Sequence, residues 1–335
     1  MAHHRGSPAR HHAIGRRRFR RTALATAVGI GLALTGCSAA GDGGGSRAAD
    51  GTAASTPLST TASTTAGACV SEQDLAARFG RLEAERDVRV GVHLLDTGTG
   101  VELSHRGGER FAFASTIKAL AAAVVLDRLS TRELGRRLRW TEDELVPYSP
   151  VTEQHVADGL TVREVLDAAV TVSDNTAANL LLDVLGGPQV LDRALDEVGD
   201  TTTLVVRREP ELNDYAPDDT RDTTTPRALA ESLAAFAIGG ELAAADERAL
   251  RSLLWRNTTG DDLVRAVVPD GWRVGDKTGT ASYGTRNDVA VLTPPGREPL
   301  VLAVMTRHAD PDAEPDDTAV AEAARIALEG LCLGG

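Results

Sequence analysis

Val88, Val90, Val92 and Leu94 alternate as a β-strand, and Asp96–Gly100 turns the chain into a second strand from Val101. Three more apolar strands come near the other end, at Trp272–Ala281, Asn287–Thr293 and Leu300–Thr306. Between the two groups the pattern is almost wholly helical from Ser115 to about Leu254. Helices are predicted at Ala119–Leu129, Val162–Ala169, Thr176–Leu185, Gln189–Val198, Pro226–Phe236 and Ala243–Trp255. An amphipathic helix over Val70–Arg86 leads the strands, and Thr318–Leu331 closes the chain as another. Strands at both ends with helices between imply an α+β fold in which an all-helical part interrupts a sheet domain. The expected sheet part is residues 69–112 and 257–335, and the expected helical part is 113–256. The boundary between such halves is a natural place for a ligand cleft.

Residues 1–36 read as a sorting signal. Met1–Arg21 is basic without an acid, Thr22–Thr35 is small and apolar, and Gly36-Cys37 follows. Arg16-Arg17-Arg18-Phe19 resembles a twin-arginine export signal, and Leu34-Thr35-Gly36-Cys37 resembles a bacterial lipobox, whose cysteine takes a lipid. Residues 37–68 are rich in Gly, Ser, Thr and Ala and read as a flexible tether behind that anchor. The expected location is the outer face of the bacterial cytoplasmic membrane, with part released. Cleavage before Cys37 removes seven arginines and leaves 29 basic against 48 acidic residues, a net charge of −19. A surface that negative disfavours nucleic acid, but not a small anion held in a locally basic pocket. With Cys37 lipidated, Cys69 and Cys332 remain as an even pair in an oxidising compartment, and a disulfide between them is expected if the first and last helices pack antiparallel.

Of the 36 basic residues, only Lys118 and Lys277 are lysine. Arginine keeps its proton near neutral pH, whereas a buried lysine releases it. Lys118 lies three residues after Ser115, where a helix should begin, so hydroxyl and amine share a face near free backbone N–H groups. A bare Ser-x-x-Lys is common, and alone says little. Three further stretches add to it. Ser173-Asp174-Asn175 sits between helical segments. Arg207-Arg208-Glu209-Pro210-Glu211-Leu212-Asn213 opens an irregular loop running to Asp222. Lys277-Thr278-Gly279-Thr280 lies on a strand, with a glycine that permits close approach.

In that order, Ser-x-x-Lys, Ser-Asp-Asn and Lys-Thr-Gly resemble the signature of class A β-lactamases and penicillin-binding proteins. Glu209–Asn213 and Val146-Pro147-Tyr148-Ser149-Pro150 resemble class A β-lactamases in particular, and the resemblance spans about residues 70–332. It implies an antiparallel five-stranded sheet flanked by helices, with an inserted all-α domain. It further implies hydrolysis of the β-lactam amide without a cofactor, by a monomer that confers β-lactam resistance. Ser115 is then the nucleophile, Lys118 or Glu209 its base, and Ser173 the relay to the departing nitrogen. The backbone N–H groups of Ser115 and Thr280 form the oxyanion hole. Glu209, with Asn213, activates the deacylating water. Asn175 holds the substrate's amide side chain, and Tyr148 lines the entrance. Lys277, Thr278 and Arg286 bind the substrate carboxylate beside Gly279. Arg207 and Asp222 match the ion pair that closes the Ω-type loop.

A penicillin-binding protein stops at a long-lived acyl-enzyme, so Glu209 is what separates a hydrolase from a D-alanyl-D-alanine peptidase or a β-lactam receptor. Ala114 and Ala281 stand where carbapenem-hydrolysing members often carry a disulfide, so penicillins and then cephalosporins are the expected substrates. His93, His105, His155 and His308 have no zinc-ligand spacing, so no metal is expected. Asp174 reads as a structural acid, and Glu211 has no assigned role.

Overall fold

The computed structural model describes residues 70–331. Its centre is a fully antiparallel sheet of β1 (Arg89–Asp96), β2 (Glu102–His105), β3 (Arg273–Ala281), β4 (Thr285–Thr293) and β5 (Leu300–Arg307), in the order β2-β1-β5-β4-β3. The two N-terminal strands therefore join the three C-terminal ones through β1 and β5, with Val92 opposite Val304. Both faces of β5 are buried, because its residues alternate between two cores. Leu300, Leu302 and Val304 pack with α1 (Glu72–Arg86) and the closing helix, while Val301, Ala303 and Met305 pack with the helical part.

The helical part holds α2 (Ile117–Arg128), α3 (Val162–Thr171), α4 (Asn175–Leu185), α5 (Pro188–Glu197), α6 (Pro226–Ala237) and α7 (Ala244–Trp255), and α8 (Asp317–Gly330) closes the chain. Ile117–Leu126 of α2 are all buried, as a helix apolar on every side must be. The predicted elements recur with ends moved by one or two residues, for local reasons. Ser71 accepts a hydrogen bond from Asp74 N at 3.1 Å, so α1 begins at Glu72 and not Val70. Ser115 does not open α2. It sits in a 3₁₀ turn, Ala114–Thr116, ahead of the helix. Thr223–Thr224, paired with Phe111–Ala112, and the ladder of Arg137–Leu138 with Leu160–Thr161 also interrupt the stretch expected to be helical. Two-residue strands are too short to show an alternation. Cys37, Cys69, Cys332, the signal and the tether fall outside the described residues.

Candidate active site

Ser115 is carried by the turn between the Phe111–Ala112 ladder and α2, and Ala114 before it has φ of +48°. That left-handed backbone is costly for a residue with a Cβ, and packing on all sides holds it. Gly279 of β3 lies directly against the turn. A Cβ there would stand 3.0 Å from Phe113 O and 3.2 Å from Ser115 N, so only glycine brings the strand this close. Asn287, fully buried on β4, donates to Ala112 O at 2.8 Å and fixes the approach to the turn.

Lys118, one turn into α2, is sealed from solvent. Its Nζ donates to Ser173 O at 2.8 Å and Asn175 Oδ1 at 2.5 Å, and lies 3.4 Å from Ser173 Oγ. It also pairs with Glu209 Oε1 at 3.0 Å, both side chains being at most 1% exposed. Burial pushes the amine below its ordinary value, and the Glu209 carboxylate opposes that shift. Ser115 Oγ donates to the same Glu209 oxygen at 3.4 Å. Glu209 Oε2 accepts from Asn213 Nδ2 at 2.6 Å, and Asn213 Oδ1 is buried without a protein partner. Arg207 Nε meets Asp222 at 2.5 Å at the neck of the loop that carries Glu209.

Ser173, with φ of +62°, turns its hydroxyl inward from the loop between α3 and α4. There it accepts from Lys277 Nζ at 3.0 Å. Lys277 is fully buried on the edge strand β3. Burial first, then the charge of Lys118, push it down to about 7, against the pull of Asp276, Asp288 and Glu209. Burial raises both Asp276 and Asp288, and the charge of Asp276 raises Asp288 further. Arg286 stands opposite Thr280 across the strands and donates to its Oγ1 at 3.0 Å, with Asp317 holding the other side of the guanidinium at 2.6 Å. Thr278 is buried and shares a 2.6 Å hydrogen bond with Thr259. Tyr148 is 61% exposed, and its carbonyl accepts from Asn175 N at 2.9 Å.

Ser115, Lys118, Ser173, Asn175, Glu209, Asn213 and Lys277 thus form one hydrogen-bonded cluster, with Gly279 packed on it. Thr278, Thr280 and Arg286 lie along the adjoining strands, and Tyr148 lies at the surface. Asp174 accepts from the backbone of Val151, Thr152 and Ala177, a structural role beside the cluster.

A family model described as the beta-lactamase enzyme family matches residues 73–331. The chain belongs to that family. A β-lactamase of Amycolatopsis lactamdurans is 53% identical over 253 residues, which is 76% of this chain and 84% of that protein. One from Bacillus licheniformis is 48% identical over 257 residues, 77% of this chain and 84% of that protein. Among solved structures, an ancestral class A β-lactamase is 49% identical with a TM-score of 0.73, covering 76% of this chain and 99% of the other. The class A enzyme of Clostridium kluyveri is 39% identical with a TM-score of 0.76, covering 77% and 98%. The β-lactamase described here is accordingly a class A serine enzyme that hydrolyses the β-lactam amide.

Asn179 and Asn287 are positioning residues that the sequence reading missed. Asn179, one turn after Asn175 on α4, brackets Glu209: its Nδ2 donates to Glu209 O at 2.8 Å and its Oδ1 accepts from Glu209 N at 3.0 Å. A polar residue on the buried side of α4 was the only sign of it. Asn287 had none.

Proposed function

We propose that this β-lactamase hydrolyses penicillins and cephalosporins through a Ser115 acyl-enzyme that Glu209 clears. The observation that carries this is Glu209 itself, a buried carboxylate with one oxygen toward Ser115 and Lys118 and the other on Asn213. Ser115 Oγ attacks the lactam carbonyl, and its proton leaves toward Glu209 Oε1, its hydrogen-bond acceptor. As the C–N bond breaks, that proton passes from Glu209 by way of Lys118, which touches both, to Ser173 and on to the ring nitrogen, leaving Glu209 ionised again. The N–H groups of Ser115 and Thr280 hold the carbonyl oxygen during attack. The positive end of Lys277, with Arg286 and Thr278 beside it, receives the substrate carboxylate. Asn175 takes the amide side chain, and Tyr148 borders the entrance.

Deacylation needs a water between base and ester. The unpaired Asn213 Oδ1 supports such a place, because a water there both satisfies it and meets Glu209. Water attacks the ester carbonyl, its proton goes to Glu209, and Oγ of Ser115 departs with a proton returned. The test is hydrolysis of a chromogenic cephalosporin and of benzylpenicillin, with mass spectrometry of the enzyme. Wild type turns over with little adduct. Glu209→Gln loses about 10²–10⁴ in kcat, as removal of a general base does, and accumulates acyl-enzyme. A Glu209→Gln enzyme that turns over normally removes the role, and a wild type that stays acylated removes the reading.

Lipid attachment at Cys37 after export belongs to the same proposal, supported by the basic, apolar and Leu34–Cys37 segments in sequence, while a monomeric state is what the family resemblance implies. Loss of lipid labelling in Cys37→Ser is the expected result, and retained labelling refutes it. A disulfide between Cys69 and Cys332 is part of the proposal, supported by their being an even pair in an exported chain and by the packing of α1 and α8 in one core. Two free thiols in the intact mass of the exported protein would sink it.

A further inference from the structure

Away from the Ser115 cluster, β1 and β2 set His93 and Glu102 on one face of the sheet, diagonally across the pair: His93 is opposite Ser104, and Glu102 is opposite Leu95. On α6, which covers this face, Arg227 and Glu231 stand one turn apart. His93 is completely buried, yet neither ring nitrogen has a hydrogen-bond partner. Its Nε2 stops 3.9 Å from a Glu102 carboxylate oxygen. One nitrogen of His93 and one oxygen each of Glu102 and Glu231 all lie within 4.8 Å of one another. Arg227 closes the group, paired with Glu102 and 3.5 Å from Glu231.

We propose that His93, Glu102 and Glu231 form a site for a divalent transition-metal ion of the zinc class, which takes the place now held by the Arg227 guanidinium. One imidazole nitrogen and two carboxylate oxygens are ligands that zinc accepts, with a fourth position left to solvent. Calcium and magnesium prefer all-oxygen shells, so the buried imidazole selects against them. Neither His93 ring nitrogen is tied up in a hydrogen bond, so the neutral imidazole has a lone pair to offer. Contraction around an ion falls to the two glutamates, 41% and 50% exposed and free to swing. Arg227 holds them only through half-exposed ion pairs, which are weak competitors. The ligands come from a strand, its neighbour and a helix, so no sequence spacing reveals them.

Titration calorimetry with zinc chloride at neutral pH, on the full chain and on its His93→Ala variant, tests the site. His3, His4, His11 and His12 supply ligands of their own, so the reading is the difference between the two titrations. Wild type should bind one more zinc than His93→Ala. Glu102→Gln should weaken that site at least about tenfold, since loss of even an outer-shell partner costs as much. Arg227→Ala should tighten it, an outcome that binding by scattered surface groups would not give. Identical isotherms for wild type and His93→Ala overturn the proposal, and so does Arg227→Ala binding no more tightly. If His93→Ala does not fold, the double variant Glu102→Gln/Glu231→Gln, changed only at exposed positions, replaces it in the same subtraction.

Discussion

In the proposed mechanism the Lys277 amine, pushed down to about 7 by burial and by Lys118, supplies the charge that an anionic substrate needs within an acidic protein. Above pH 7 the free enzyme loses that proton, so kcat/KM should fall up to about tenfold per pH unit as the substrate carboxylate loses its partner. A bound carboxylate favours the charged amine, so kcat should hold to higher pH than kcat/KM. Lys277→Arg keeps its charge throughout, and its alkaline limb in kcat/KM should move well above that of wild type. Paired pH–rate profiles decide it: an unmoved limb in the variant assigns the titration elsewhere. Lys118 and Lys277 stood out in the sequence because every other basic residue is arginine. Asn179 and Asn287 did not, because their work is to hold backbone groups of Glu209 and Ala112 that only the folded chain brings near.

At the scale of elements, the loop from Val206 to Asp222 depends on one buried carboxylate. Asp222 accepts from Val206 N at 2.9 Å and Arg207 N at 3.0 Å through one oxygen, and pairs with Arg207 Nε through the other. Asp222→Asn keeps the shape and removes the charge, so Arg207 faces a neutral amide. The expected cost to stability is about 1–3 kcal/mol, that of weakening a buried charge-assisted contact. Under the proposed role of Glu209, the larger effect should be on deacylation, because the same loop carries that carboxylate. Benzylpenicillin should then trap an acyl-enzyme on Asp222→Asn, with faster amide exchange across 206–222 and unchanged exchange in α2. Clean turnover by this variant would mean that the Asn179 bracket alone holds Glu209. The long helices and strands were legible because their apolar period runs over many residues. The 3₁₀ turn at Ser115 was not, since its left-handed Ala114 is imposed by packing against Gly279 and not by any local preference.

For the whole molecule, the active site lies where the helical part meets the sheet edge. Ser115 and Ser173 come from segments bounding helices, Lys277 from β3, and Glu209 from the loop before α6. The second core, between the sheet, α1 and α8, lies on the other face of the sheet from Lys277, whose strand partner Val289 packs with the helical part. Stability and catalysis should therefore separate across β5. Leu302, fully buried on the α1–α8 side, loses its packing in Leu302→Ala at a cost of about 2–5 kcal/mol. In a protein of this size each kcal/mol lowers Tm by about 2–4 °C, so a fall of roughly 4–20 °C is expected. At 25 °C, with the variant still folded, kcat/KM should remain within about twofold of wild type, as no cavity opens beside the reacting groups. Thermal melts paired with assays at 25 °C make the comparison. A larger loss of kcat/KM in fully folded Leu302→Ala would mean that the far core sets the spacing between Ser115 and Lys277, and that the sheet carries strain from one face to the other.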